Sequence, residues 1–280
     1  MPYFRTPDGL SLYFSDEGTG LPIVCLAGLT RNSADFEYVS PHLTGCRLIK
    51  LDYRGRGRSD CDTNYLNYSI AIEAQDVLAL LDYLELDRVA ILGTSRGGLI
   101  AMCLGAIANQ RLLGVALNDI GPVLEPEGLE NILDYLGRNP EWKTYDEAAR
   151  MRPLTMPGFE NVPKQRWLAE IKKLYRETPN GLEITYDPKL RDAVLDAMAQ
   201  PSSDAWQLFE QLIDKPMAVI RGANSDLLST ATVAKMQSYK PDLILTAIAG
   251  RGHVPFLDEP EAIKALRSWI EQIKHAVSVP

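Results

Sequence analysis

The stretch Val89-Ala90-Ile91-Leu92-Gly93-Thr94-Ser95-Arg96-Gly97-Gly98-Leu99-Ile100-Ala101-Met102 decides the fold. Its first half is apolar and rich in strand-forming residues, and it is bounded by charge at Asp87-Arg88, as a strand buried on both faces should be. From Arg96 onward it is small and apolar, which predicts a buried helix. Between the halves stands Gly93-Thr94-Ser95-Arg96-Gly97, a G-x-S-x-G. A sharp strand-to-helix turn presses its two arms together, so the positions two before and two after the apex have no room for a Cβ. The apex is held in a strained conformation that pushes its side chain out at the end of the sheet. Ser95 is therefore the candidate nucleophile, and Gly98 adds room for close helix–sheet packing.

Outward from this stretch the chain alternates strand and helix. Strands are predicted at Leu10–Phe14, Ile23–Leu26, Arg47–Asp52, Leu112–Leu117, Met217–Ile220 and Leu243–Ile248. Apolar positions 70, 77, 80, 81 and 84 mark one face of a helix over 69–84. A last helix is predicted from Glu259 to His275, with Asp258 as its cap. The alternation implies an α/β domain with a mostly parallel sheet and helices on both sides. It breaks after Pro122. From about 123 to 200 only amphipathic helices are expected, the third opening at Asp187-Pro188, with Met- and Pro-containing loops such as 151–159 between them. This block reads as a helical cap (122–200) inserted into a core formed by 1–121 and 201–280.

The chain has 280 residues, 46% of them hydrophobic, enough for a large core. Its net charge of −8 disfavours a nucleic-acid or anionic-membrane surface. Cys25, Cys46, Cys61 and Cys103 have no metal-binding spacing and suit reduced packing thiols. The first residues lack the basic and apolar regions of a signal peptide. Residues 89–108 nearly reach membrane-spanning length, but Arg96 and the glycines argue against a span. The expectation is a cytoplasmic protein with a small-molecule substrate, no nucleic-acid or membrane partner and no metal or organic cofactor. Oligomeric state stays open.

A serine hydroxyl becomes a useful nucleophile when a base takes its proton and a carboxylate orients that base. Of three histidines, His42 lies in a polar stretch before the elbow and His275 on the final helix. His253, in Ala249-Gly250-Arg251-Gly252-His253, follows the last strand's carboxyl end, where sites of parallel sheets form. Asp226 follows the preceding strand, so its loop should neighbour that of His253, and it is the favoured acid. Asp119, at the end of the strand after the elbow, is the alternative. Two backbone N–H groups are needed to hold an oxyanion. They are assigned to Arg96, at the helix N-terminus, and to Leu29, in the loop after Ile23–Leu26.

These features together resemble the α/β-hydrolase fold family, over nearly the whole chain. Asp52-Tyr53-Arg54-Gly55-Arg56-Gly57-Arg58-Ser59 is similar to that family's D-x-R-G-x-G-x-S loop, Gly222-x-x-x-Asp226 to its acid loop, and Gly250-Arg251-Gly252-His253 to its G-x-G-H loop. The resemblance implies an eight-stranded, mostly parallel sheet and the order serine, acid, histidine. It also implies a serine hydrolase acting on a small carboxylic ester or lactone through an acyl-enzyme. Carbon–carbon bond hydrolases and lyases share that triad, and a ligand-binding protein on the same scaffold is a further alternative. Ala27-Gly28 stands where most relatives have His-Gly, which implies altered loop anchoring. Arg96 is unusual beside the serine; its side chain should form an ion pair with Asp119 or the cap, or else bind a substrate carboxylate.

Overall fold

Six buried residues, Val89–Thr94, form β5 at the centre of the sheet. Successive side chains leave it in opposite directions: Val89 and Ile91 enter one core, Ala90 and Leu92 the other. The computed structural model describes residues 2–156, 158–200 and 205–278. Beside β5 lie β3 (Leu21–Leu26) and β6 (Leu112–Asn118), both parallel to it. Beyond β3 come β4 (Cys46–Leu51), β2 (Ser11–Gly18) and β1 (Tyr3–Arg5); beyond β6 come β9 (Met217–Gly222) and β10 (Ile244–Ile248). The order is β1-β2-β4-β3-β5-β6-β9-β10, antiparallel only where β2 meets β1 and β4. The expected eight-stranded sheet is therefore present. Its edge strand β1 was not among the strands expected, being only three residues long with two of them exposed.

Helices α1 (Ile70–Tyr83), α2 (Arg96–Ala108) and α8 (Thr230–Tyr239) cover one face through Val77, Leu80, Met102 and Met236. Helix α1 starts where expected because the Ser69 hydroxyl accepts the Ile72 N–H. The other face is covered by α9 (Pro260–Ser278), whose Trp269 and Ile273 are fully buried. Burying a side chain such as Ile91 or Ile273 contributes about 1.5–3 kcal/mol. Both faces thus clamp the sheet, and its strand ends become a rigid platform. No helix among the described residues is long and apolar enough to cross a membrane.

Between β6 and β9 the chain leaves the sheet. It forms α3 (Pro126–Tyr135), α4 (Tyr145–Thr155), α5 (Lys164–Leu174), α6 (Leu190–Met198) and, before β9, α7 (Ala205–Glu210). The expectation of helices alone is corrected by an antiparallel hairpin, β7 (Tyr175–Thr178) and β8 (Gly181–Ile184). Its turn uses Pro179-Asn180-Gly181, with Gly181 at φ +127°. Arg176 and Glu183 pair across it at 2.8 Å. Such short, half-exposed strands lack the apolar run that marks a core strand. Helix α4 runs on to Thr155 into what the sequence suggests is loop, carrying Pro153 in its last turn. Helix α6 begins at Leu190 because Asp187 first closes a turn, its Oδ1 accepting the Lys189 N–H and its carbonyl the Leu190 N–H. Pro157 of the 151–159 loop and residues 201–204, at the expected cap boundary, lie outside the described residues.

Candidate active site

Ser95 sits between β5 and α2 with φ 49° and ψ −115°, a strained combination that costs about 1–3 kcal/mol and persists only when its surroundings enforce it. The enforcement is steric. A Cβ on Gly93 would lie 2.6 Å from the backbone of Gly97 and Gly98, and one on Gly97 would lie 2.0 Å from the Leu26 carbonyl oxygen. The Ser95 N–H donates to the Asn118 carbonyl of β6 at 3.0 Å, which locks the turn to the neighbouring strand.

His253 follows β10, and its ring lies between two partners. Nε2 is 2.9 Å from Ser95 Oγ and Nδ1 is 2.7 Å from Asp119 Oδ2. A carboxylate can only accept, so Nδ1 carries the hydrogen and Nε2 accepts the Ser95 hydroxyl proton. Asp119, at the carboxyl end of β6, is fully buried and has φ 55°. Its Oδ1 accepts the Gly222 N–H at 2.7 Å, and its Oδ2 accepts the Ser225 hydroxyl at 2.5 Å. A hydroxyl, an imidazole and a carboxylate so arranged can pass a proton from oxygen to ring while the ring stays oriented.

The favoured acid of the sequence reading is thereby corrected. Asp226 does not meet His253; its Oδ2 accepts from Asn131 of α3 at 2.7 Å. The loop after β9 turns tightly, with the Ser225 N–H on the Gly222 carbonyl. The Ser225 hydroxyl accepts from Leu227 and Leu228 while donating to Asp119, so Ser225 faces the site and Asp226 faces α3. Ser225 was missed by the sequence reading. Its only signal was its place one residue before the aspartate.

Arg96 is corrected as well. Its guanidinium meets neither Asp119 nor the 122–200 block: Nε donates to Glu73 of α1 at 2.5 Å and Nη2 to the Tyr68 carbonyl at 2.8 Å. Glu73, fully buried, also holds Arg56 at 2.7 Å. Arg56 in turn donates to the Leu29 carbonyl at 3.1 Å, and the Tyr53 hydroxyl donates to the Ala27 carbonyl at 3.0 Å. The loop without the family histidine is thus tied down by Arg56 and Tyr53. Within it the Leu29 N–H has no acceptor among the described residues, and the Arg96 N–H is the first of α2 and has no helical partner. Asp258 lies outside the Ser95–His253 chain, its carboxylate bonded to Arg166 of α5. His42 and His275 also lie away from it, the first on a 3₁₀ turn after β3 and the second in the last turn of α9.

A cavity of about 130 Å³ opens over Ser95 and His253, walled by the loops and by α3, α4 and α5. Phe159, Trp167 and Phe256 cluster along it with ring centroids 5.5–6.3 Å apart, Trp167 edge-on to both phenylalanines and these tilted at 45° to each other. It shares Tyr135, Arg152 and His253 with a wider cleft of about 610 Å³. On the other side of Ser95 lies an apolar cavity of about 490 Å³ between α1, α3 and α6. Arg31, in the first cavity, bonds Asp35 at 2.7 Å and Glu170 at 2.5 Å. Burial works against the Arg31 charge, but the two carboxylates outweigh it and hold the guanidinium above the usual arginine range.

Residues 22–260 match the model of a family described as alpha/beta hydrolase fold. The chain is 34% identical over 251 residues to a 3-hydroxybutyrate-oligomer hydrolase of Cupriavidus necator, covering 86% of this chain and 85% of that one. It is 25% identical over 268 residues to a 2-(acetamidomethylene)succinate hydrolase of Mesorhizobium japonicum, covering 94% and 92%. The crystal structure of an alpha/beta hydrolase from Novosphingobium aromaticivorans superposes with a TM-score of 0.90 at 36% identity, over 96% of this chain and 97% of that one. With the strand–serine–helix elbow and the sheet order in place, the chain belongs to the α/β-hydrolase fold family.

Proposed function

We propose that this chain is a serine hydrolase of small carboxylic esters or lactones, with Ser95, His253 and Asp119 as its catalytic residues. The observation that carries the reading is the unbroken chain of hydrogen bonds from Ser95 Oγ through both ring nitrogens to Asp119. His253 takes the serine proton as Oγ attacks the carbonyl carbon, then gives it to the leaving alcohol oxygen. Asp119 keeps Nδ1 protonated and stabilises the imidazolium that forms. The N–H groups of Leu29 and Arg96 hold the oxyanion, with α2 presenting its positive end there. Water, deprotonated by the same imidazole, then frees the acyl group.

Residues 122–200 act as a helical cap over the cavity. The Cupriavidus relative's name supports an ester, since an oligomer of a hydroxy acid is joined by ester bonds. Labelling with a fluorophosphonate probe, read alongside hydrolysis of short 4-nitrophenyl esters, tests the reading. The native protein should label and turn over. Ser95→Ala should abolish labelling and lower kcat by about 10⁴-fold or more. Folded native protein that neither labels nor turns over would instead be a ligand-binding member of the family.

A further inference from the structure

Among the charged groups around the cavity, Arg152 stands apart. It lies on α4, four residues after Ala148 and three after Ala149, and both alanines are buried. That spacing puts its side chain on the inward face of the helix, and it lines both the cavity over Ser95 and the adjoining cleft. Its guanidinium makes no hydrogen bond or ion pair among the described residues. Every other arginine near the serine is matched: Arg31 by Asp35 and Glu170, Arg96 and Arg56 by Glu73. Tyr135 of α3, which lines the same two spaces, has a hydroxyl that is likewise unbonded among the described residues.

A guanidinium presents a planar fork of donors suited to two carboxylate oxygens, and a phenol can add a third hydrogen bond. We infer that Arg152, with Tyr135 beside it, recognises a carboxylate on the substrate, so that the preferred ester is an anion. The inference rests on the ester-hydrolase reading and deepens it: the carboxylate docks against α3 and α4 while the scissile carbonyl meets Ser95. Arg152 is then a specificity residue. The anionic specificity that the sequence reading offered to Arg96 belongs to a residue of the cap.

Two matched pairs of probes test this. The first is 4-nitrophenyl glutarate against its methyl ester, with the charge on the acyl side. The second is 4-(butanoyloxy)butanoate against its methyl ester, with the charge on the alcohol side. In at least one pair Arg152→Leu should lower kcat/KM for the anion about tenfold or more, mostly through KM, and change the neutral ester less than threefold. Arg152→Lys should recover part of the loss. Equal losses within both pairs overturn the inference. Glutarate binding, measured by calorimetry on Ser95→Ala protein with and without Arg152→Leu, does not depend on turnover. Affinity about tenfold weaker without the arginine supports the inference even if Ser95 is no nucleophile, and unchanged affinity overturns it even if Ser95 is one.

Discussion

The rim of the sheet and the inward side of α3 and α4 facing it treat polar groups in opposite ways. On the rim, Asp119 receives three donors, and Arg56 and Arg96 share the buried Glu73. On the inward side of the helices, Arg152 and Tyr135 turn polar ends toward the same cavity and meet no partner among the described residues. Both regions border Ser95, so exposure to the site is not what separates them. A matched charge on a clamped strand end holds its neighbours in place. An unmatched one on the helix α4 has its bonding capacity left for what enters.

The sharpest way to break this contrast is on the rim. Asp119→Asn should lower kcat by about 10³–10⁴-fold, because the ring loses the partner that fixes its tautomer. Asp226→Asn, by comparison, should stay within about twofold. If the two variants behave alike in ester hydrolysis, Asp119 does not have the role assigned to it.

Next in size is Glu73→Gln, which leaves Arg56 and Arg96 buried and half matched. Removing one partner of a buried pair costs about 3–5 kcal/mol, and the midpoint of urea unfolding should fall accordingly. A loss under about 1 kcal/mol would show that the network adds little to stability. The smallest effect is expected at Ser225→Ala, which removes one of the donors to Asp119. Steady-state kinetics should show kcat falling about tenfold with KM nearly unchanged, as the loss of one hydrogen bond to a charged group implies.

The sequence by itself determined the parts governed by local sterics. A G-x-S-x-G between an apolar strand and a small-residue helix has few other ways to fold, and the lack of room for a Cβ at Gly93 and Gly97 agrees with that. A histidine just past the last strand of a parallel sheet is placed by topology at the rim where the elbow opens. Tertiary structure alone decided which carboxylate would meet that histidine. Asp119 and Asp226 both follow strands that end at the same rim, and the choice turned on how tightly the loop after β9 closes. Asp119 is 134 residues from His253 along the chain, so no local pattern couples them. The same holds for Arg96, whose partner Glu73 is supplied by the facing helix α1, and for Arg152, whose lack of a partner among the described residues is a property of the packed helices around it and not of its own sequence neighbours.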